Sequence, residues 1–178
     1  MRVPLIADGT LVRPEELKLP AIPGLAYHGL HNGSGDRDFG PRVRFNSGVI
    51  DKLIPETMAP HQVLVPQVDA LGNEIAGIRH PFVEAPTATL LGWNTRTPAF
   101  GGPDLCDLLG SMIPLARTRA EADAAGDPRP SLEELYGDHA GYVAAVAKAA
   151  RALQAERLML DEDVQRVIAE AEASGVLR

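Results

Sequence analysis

Side chains able to carry covalent chemistry are few in this chain of 178 residues: five serines and one cysteine, with five histidines as candidate bases or metal ligands. A serine nucleophile elbow needs glycine two residues before and two after the serine, so that a sharp turn can expose the hydroxyl. Ser34 has Asn32 and Asp36 at those places, and Ser111 has Leu109 and Ile113; none of the five serines fits. Gly33-Ser34-Gly35 therefore reads as a flexible loop. Cys106, in "GGPDLCDLLGS", has Asp104 and Asp107 as neighbours, which disfavour the thiolate that a nucleophile needs. It reads as a small buried apolar residue. His28 and His31, with Asp36 and Asp38 downstream, can be drawn as a ligand set. Their three-residue offset suits a helix, yet the glycines around them oppose one, so no metal site is assigned. "GGPDLCDLLG" lacks the lysine and the spacing of a phosphate loop, and no cofactor is expected. No residue is assigned as catalytic.

One polar cluster is left. "GWNTRT", Gly92 to Thr97, sets Trp93, Asn94 and Arg96 after an apolar run and before a Pro/Gly loop. Loop residues at strand ends often line sites. Asn94 is suited to orienting a substrate and Arg96 to gripping a carboxylate with two parallel hydrogen bonds. The competing account is structural: Trp93 anchors the core, and Asn94 and Arg96 satisfy loop carbonyls. Trp93, Asn94 and Arg96 are the candidate substrate-binding residues.

The elements that would hold this cluster follow from a division in the chain. All 15 prolines lie at or before Pro130, and 14 of the 17 glycines fall in residues 1–130. Proline removes a backbone donor and fixes φ, so residues 1–130 read as loops, turns and short strands, while the rest is free to be helical. Asp8-Gly9 makes a turn between "VPLIA" and "TLV", and a short helix starts at Pro14. The stretch from Leu19 to Gly48 is a long connection with little periodicity. In "HQVLVPQVDALGNEIAGIRHP", Val63 to Val65 favour a strand, Asp69, Gly72 and Asn73 supply turn chemistry, and "EIAGI" returns, which predicts a hairpin. Pro66 places it at an edge or bulge. A third extended run, Thr87 to Trp93, is expected to pair with that hairpin. Ser131 and Glu134 form a capping box. A helix follows from about Asp138, with Tyr142, Val143, Val146, Ala150 and Leu153 on one stripe. A last helix is capped by Asp161, buries Val164, Val167, Ile168 and Ala171, and stops at Gly175. The fold class is α+β, in three stretches expected to form one unit: an extended connection (1–60), a hairpin and strand region (61–115) and a helical segment (116–178).

Bulk composition narrows the function. A net charge of −7 gives no basic footprint for nucleic acid and no polybasic segment for an anionic membrane. One cysteine excludes an internal disulfide. The N-terminus lacks a signal-peptide core, and no run approaches a membrane span, so the default compartment is the cytoplasm. Aromatics make up 4%, which predicts a thin core that leaves apolar surface for a partner.

Several segments in order, "ADGTLVRPEEL", "PAIPG", "VLVPQVDALGNEIAGIRHP", "GWNTR", "GSMIPLARTRAEADAAGDPRPSLEELYGDHAGYVAAV" and "AERLMLDEDVQRVIAEAEA", resemble the C-terminal region of bacterial alpha/beta-hydrolase domain-containing proteins. The resemblance implies a parent enzyme with serine esterase-like activity. Its nucleophile and catalytic histidine are expected upstream of the region matched, and no triad residue is carried over. The chain is expected to be the accessory tail of such a hydrolase, shaping or covering its site without turnover of its own. Its partners would be the catalytic portion, in cis or in trans, and a small ester substrate. Two alternatives stand beside this: a stand-alone interaction module that binds through a hairpin edge or helical face, and a small enzyme using the Trp93 loop with His80.

Overall fold

The computed structural model describes residues 2–25, 37–41, 48, 51–58, 64–97, 99, 105–106 and 109–178. The architecture is α+β, with short antiparallel strand pairs leading into a helical C-terminal part. The readings placed on His28, His31, Ser34, Asp36, Ser47 and Val63 lie outside the described residues.

Helix α1 (Arg2–Ala7) opens the chain, so the arm before the Asp8-Gly9 turn is helical. Pro4 is compatible with this because the first helical N–H groups have no intrahelical partner to lose. The turn itself forms as expected: Gly9 takes φ 78°, and the Asp8 carboxylate accepts from Thr10 N at 2.9 Å. Strand β1 (Leu11–Val12) follows, then a 3-10 turn at Pro14–Glu16. Strands β2 (Arg37–Asp38) and β3 (Glu56–Thr57) pair antiparallel, and Lys52 bridges Asp38 and Glu56 beside them.

Strand β4 (Val65–Pro66) pairs with β1, Leu11 opposite Pro66 and Val12 opposite Val65. The predicted hairpin is reduced to a single bridge between Val68 and Glu74 around a tight turn. Asp69 builds that turn: its Oδ1 accepts from Leu71 N and Asn73 N, and its carbonyl accepts from Gly72 N at 3.0 Å. Gly72 is required there, with φ 82° and the Thr89 methyl only 3.0 Å from where a Cβ would stand.

The expectation that Thr87 to Trp93 pairs with this hairpin is corrected. Strand β5 (Ala88–Leu91) pairs with β8 (Ser111–Pro114). The turn reaches β5 by a side chain instead. Asn73, fully buried, donates from Nδ2 to the Ala88 carbonyl at 3.1 Å and accepts from Leu90 N at 2.7 Å through Oδ1. An amide side chain has the same donor and acceptor pair as a peptide unit, so Asn73 takes the place of a neighbouring strand. Strands β6 (Asn94–Thr95) and β7 (Leu105–Cys106) form the remaining pair.

Helix α2 (Pro81–Glu84) leads into β5. After β8 come α3 (Arg119–Ala125), α4 (Leu132–Tyr136), α5 (His139–Ala155) and α6 (Asp161–Ala173). The Ser131 cap forms: its hydroxyl accepts from Glu134 N, and Glu134 Oε2 accepts from Ser131 N at 2.8 Å. Asp161 is the first helical residue and Leu160 holds the cap position, so the expected Asp161 cap shifts by one. The helix ends before Gly175, at an extended Ser174. The core gathers Ala85, Tyr142, Val146, Val167 and Ala171, with Phe82, Tyr136 and Val176 packed against it. Fully burying a valine of this kind stabilises the fold by about 1.5–3 kcal/mol. Tyr136 and Tyr142 meet edge-on at 5.3 Å, and burial raises both phenols above their ordinary value. Among the described residues no helix is long and apolar enough to cross a membrane.

Candidate functional site

The three expected site residues lie where β5 hands over to β6. Leu91 faces Ser111 across the ribbon, and this brings the Ser111 hydroxyl to the Trp93 carbonyl at 3.0 Å. Trp93 is half-buried. Asn94 is half-buried too, and its Oδ1 accepts from Thr95 N at 2.8 Å, while its backbone pairs with Cys106. Arg96 is exposed. The oxygen of the Asn94 amide is thus engaged by the loop, in line with the structural account of that residue.

His80, the candidate base, caps α2. Its Nδ1 accepts from Phe82 N at 3.3 Å and its ring lies 5.4 Å from that of Phe82. The described serines are similarly engaged. Ser131 is fully buried in its cap, Ser111 donates to Trp93, and Ser174 donates to the Ala171 carbonyl. None of these three bonds joins a serine to a histidine. Among the described residues, no group of three or more His, Cys, Asp or Glu is placed to hold a metal ion.

Along the β5–β8 ribbon lies a polar node that motif reading did not find. Arg129 is 2% exposed and Asp127 7%. The guanidinium donates to both Asp127 oxygens, to the Thr89 hydroxyl at 2.7 Å, and to the carbonyls of Ile113 and Pro114 at 3.0 and 3.1 Å. Thr89 in turn donates to the Leu71 carbonyl. One guanidinium therefore locks the 127–131 corner to β5, β8 and the Asp69 turn. The Arg129 hydrogen bonds hold the Asp127 carboxyl below its ordinary value, against the opposing effect of burial. Arg79 makes a parallel link, bonding Asp69 at 2.9 Å, the Val83 carbonyl at 2.8 Å and Glu84 at 3.2 Å.

An open groove of about 440 Å³ runs between the Gly77–Glu84 stretch and α5. Ala145, Ala149, Ala152 and Leu153 line it, with Ile78 and Leu158 exposed beside them. That volume is in the range of small-molecule clefts, but no serine, cysteine or histidine lines the groove.

A family model described as alpha/beta hydrolase domain matches residues 23–169. The chain belongs to this family. The match takes in the Asp69 turn, the 93–96 loop, the Arg129 node, α5 and the first nine residues of α6. No curated protein and no solved structure shows a significant match. In an alpha/beta hydrolase the nucleophile stands on a strand-to-helix turn within Gly-x-Ser-x-Gly. This family member has none of its five serines in that motif, and every strand pair among the described residues is antiparallel.

Proposed function

We propose that the chain acts as the accessory portion of an alpha/beta-hydrolase enzyme. It shapes or covers the site of a serine esterase-like catalyst whose nucleophile and histidine lie outside these 178 residues. The observation that carries this reading is the family match across 23–169 in a chain whose serines all lack the nucleophile motif. Turnover needs nucleophile, base and oxyanion donors together. The three stretches 1–60, 61–115 and 116–178 act in this reading as one unit on a catalytic partner, in cis or in trans. Trp93, Asn94 and Arg96 face a small ester or its carboxylate product.

The test uses p-nitrophenyl acetate and butyrate. The purified chain should hydrolyse neither above buffer. The same chain, fused to or mixed with a family portion carrying Gly-x-Ser-x-Gly and a histidine, should raise that portion's turnover. Arg96→Ala should then increase KM and leave the melting temperature unchanged. Turnover by the isolated chain, abolished on substituting Cys106, His80 or Ser34, overturns the proposal. The Ile78–Leu158 groove favours the interaction-module reading as the second choice, and cooperative folding with no effect on any hydrolase portion would select it.

A further inference from the structure

Where α5 begins and α6 ends, one imidazole lies between two carbonyl groups. His139 Nδ1 is 2.7 Å from the Val176 oxygen, and Nε2 is 3.2 Å from the Glu172 oxygen. A carbonyl oxygen only accepts. Neutral imidazole has one N–H and one bare nitrogen, so it satisfies one contact and turns a lone pair toward the other oxygen. Imidazolium donates to both.

The surroundings favour the cation on one side. Glu172 belongs to the last turn of α6, whose carbonyl end carries partial negative charge. The charged residues within two positions of His139, Glu172 and Val176 are Asp138, Glu170, Glu172 and Arg178, and Glu170 is paired with Arg166. Asp138 caps α5 by accepting from Gly141 N at 2.8 Å, and its carboxylate offsets the positive end of that helix. The Arg178 guanidinium donates to the same Glu172 carbonyl. The segment these bonds hold is not solvent-facing throughout: Val176 packs on the core and Leu177 is 8% exposed.

We infer that His139 is a proton-operated latch on the C-terminal segment. The imidazolium ties residues 172 and 176 to the start of α5, and loss of one proton releases one of the two ties. The inference does not depend on the hydrolase reading. Its sign follows from the acceptors, which the protonated ring meets only in the folded chain. Protonation therefore stabilises the closed segment.

Amide hydrogen exchange on the full chain tests it, with rates corrected for the intrinsic pH effect. Protection at Ser174, Val176 and Arg178 should fall by about threefold to tenfold between pH 5.5 and 7.5, the loss of roughly one hydrogen bond. His139→Gln should remove that difference. Equal protection at the two pH values, or an undiminished difference in the variant, overturns the latch. If the variant does not fold, ring N–H signals of the unaltered chain decide. Both His139 ring protons should be visible and slow to exchange at pH 5.5; their absence overturns the latch.

Discussion

Arg129 shows how much of this molecule rests on single side chains. Its five N–H groups all have acceptors, supplied by residues up to 40 positions away. In the sequence, Asp127-Pro128-Arg129-Pro130 reads only as a barrier to helix. An arginine between two prolines resembles an exposed loop residue, and local pattern cannot show that Thr89, Ile113 and Pro114 converge on it. The Trp93 cluster was the more legible candidate, because an aromatic followed by polar residues at a strand end is visible without contacts. Arg129→Met should destabilise the chain by about 3–5 kcal/mol in urea unfolding, because it leaves a buried carboxylate without its cation. The pH dependence has a definite sign. Asp127 is held below its ordinary value of 3.8, so its contribution is present above that value and is lost as pH falls through the lower folded-state value. Asp127→Asn should flatten this acid limb of a stability-versus-pH curve.

Among the elements, the helices were the most legible because their signals are local. The Ser131–Glu134 box, the Tyr142–Leu153 stripe and the buried face of α6 all follow from spacing. Helix α3 was missed although Thr118 and Glu121 form the same kind of box, and Gly126 ends the helix in the left-handed region. Strand partners were harder to see, since β5 meets β8 some 20 residues on and the Asp69 turn reaches β5 through an asparagine side chain. The α4–α5 corner sets two principles against each other. Gly141 lies inside a helix, where alanine is ordinarily favoured by about 1 kcal/mol. A Cβ there would stand 1.9 Å from the Tyr136 carbonyl oxygen, a backbone atom. The clash should prevail: Gly141→Ala should lower stability by about 1–3 kcal/mol, read as a fall in melting temperature. A rise would mean that α4 can move away.

Over the whole molecule, packing is uneven. The core joins α2 to α4, α5 and α6, whereas Leu53 and Ile54 on the stretch before β3 are 92% and 88% exposed. The low aromatic content pointed to such a thin core, but composition could not say which end would hold it. Native-state hydrogen exchange should therefore show its strongest protection in α5 and α6. A dye such as ANS should bind the folded chain, and Leu53→Ser together with Ile54→Ser should reduce that fluorescence without moving the melting temperature. Unchanged fluorescence would place the sticky surface elsewhere, with the Ile78–Leu158 groove next to be tested.

The β5–β8 ribbon has a last consequence, for behaviour at high concentration. A two-stranded ribbon ordinarily offers two open margins on which further chains can add and propagate as fibrils. On the β5 side, the outward-facing Ala88 carbonyl and Leu90 N–H are occupied by Asn73. On the β8 side, Pro114 has no N–H to offer, and its carbonyl is taken by Arg129. Opposite Leu90, Met112 is the β8 residue left to offer both an N–H and a carbonyl outward, a short template for a further strand. The residues that fasten this ribbon to its neighbours also shorten the margins on which another chain could add.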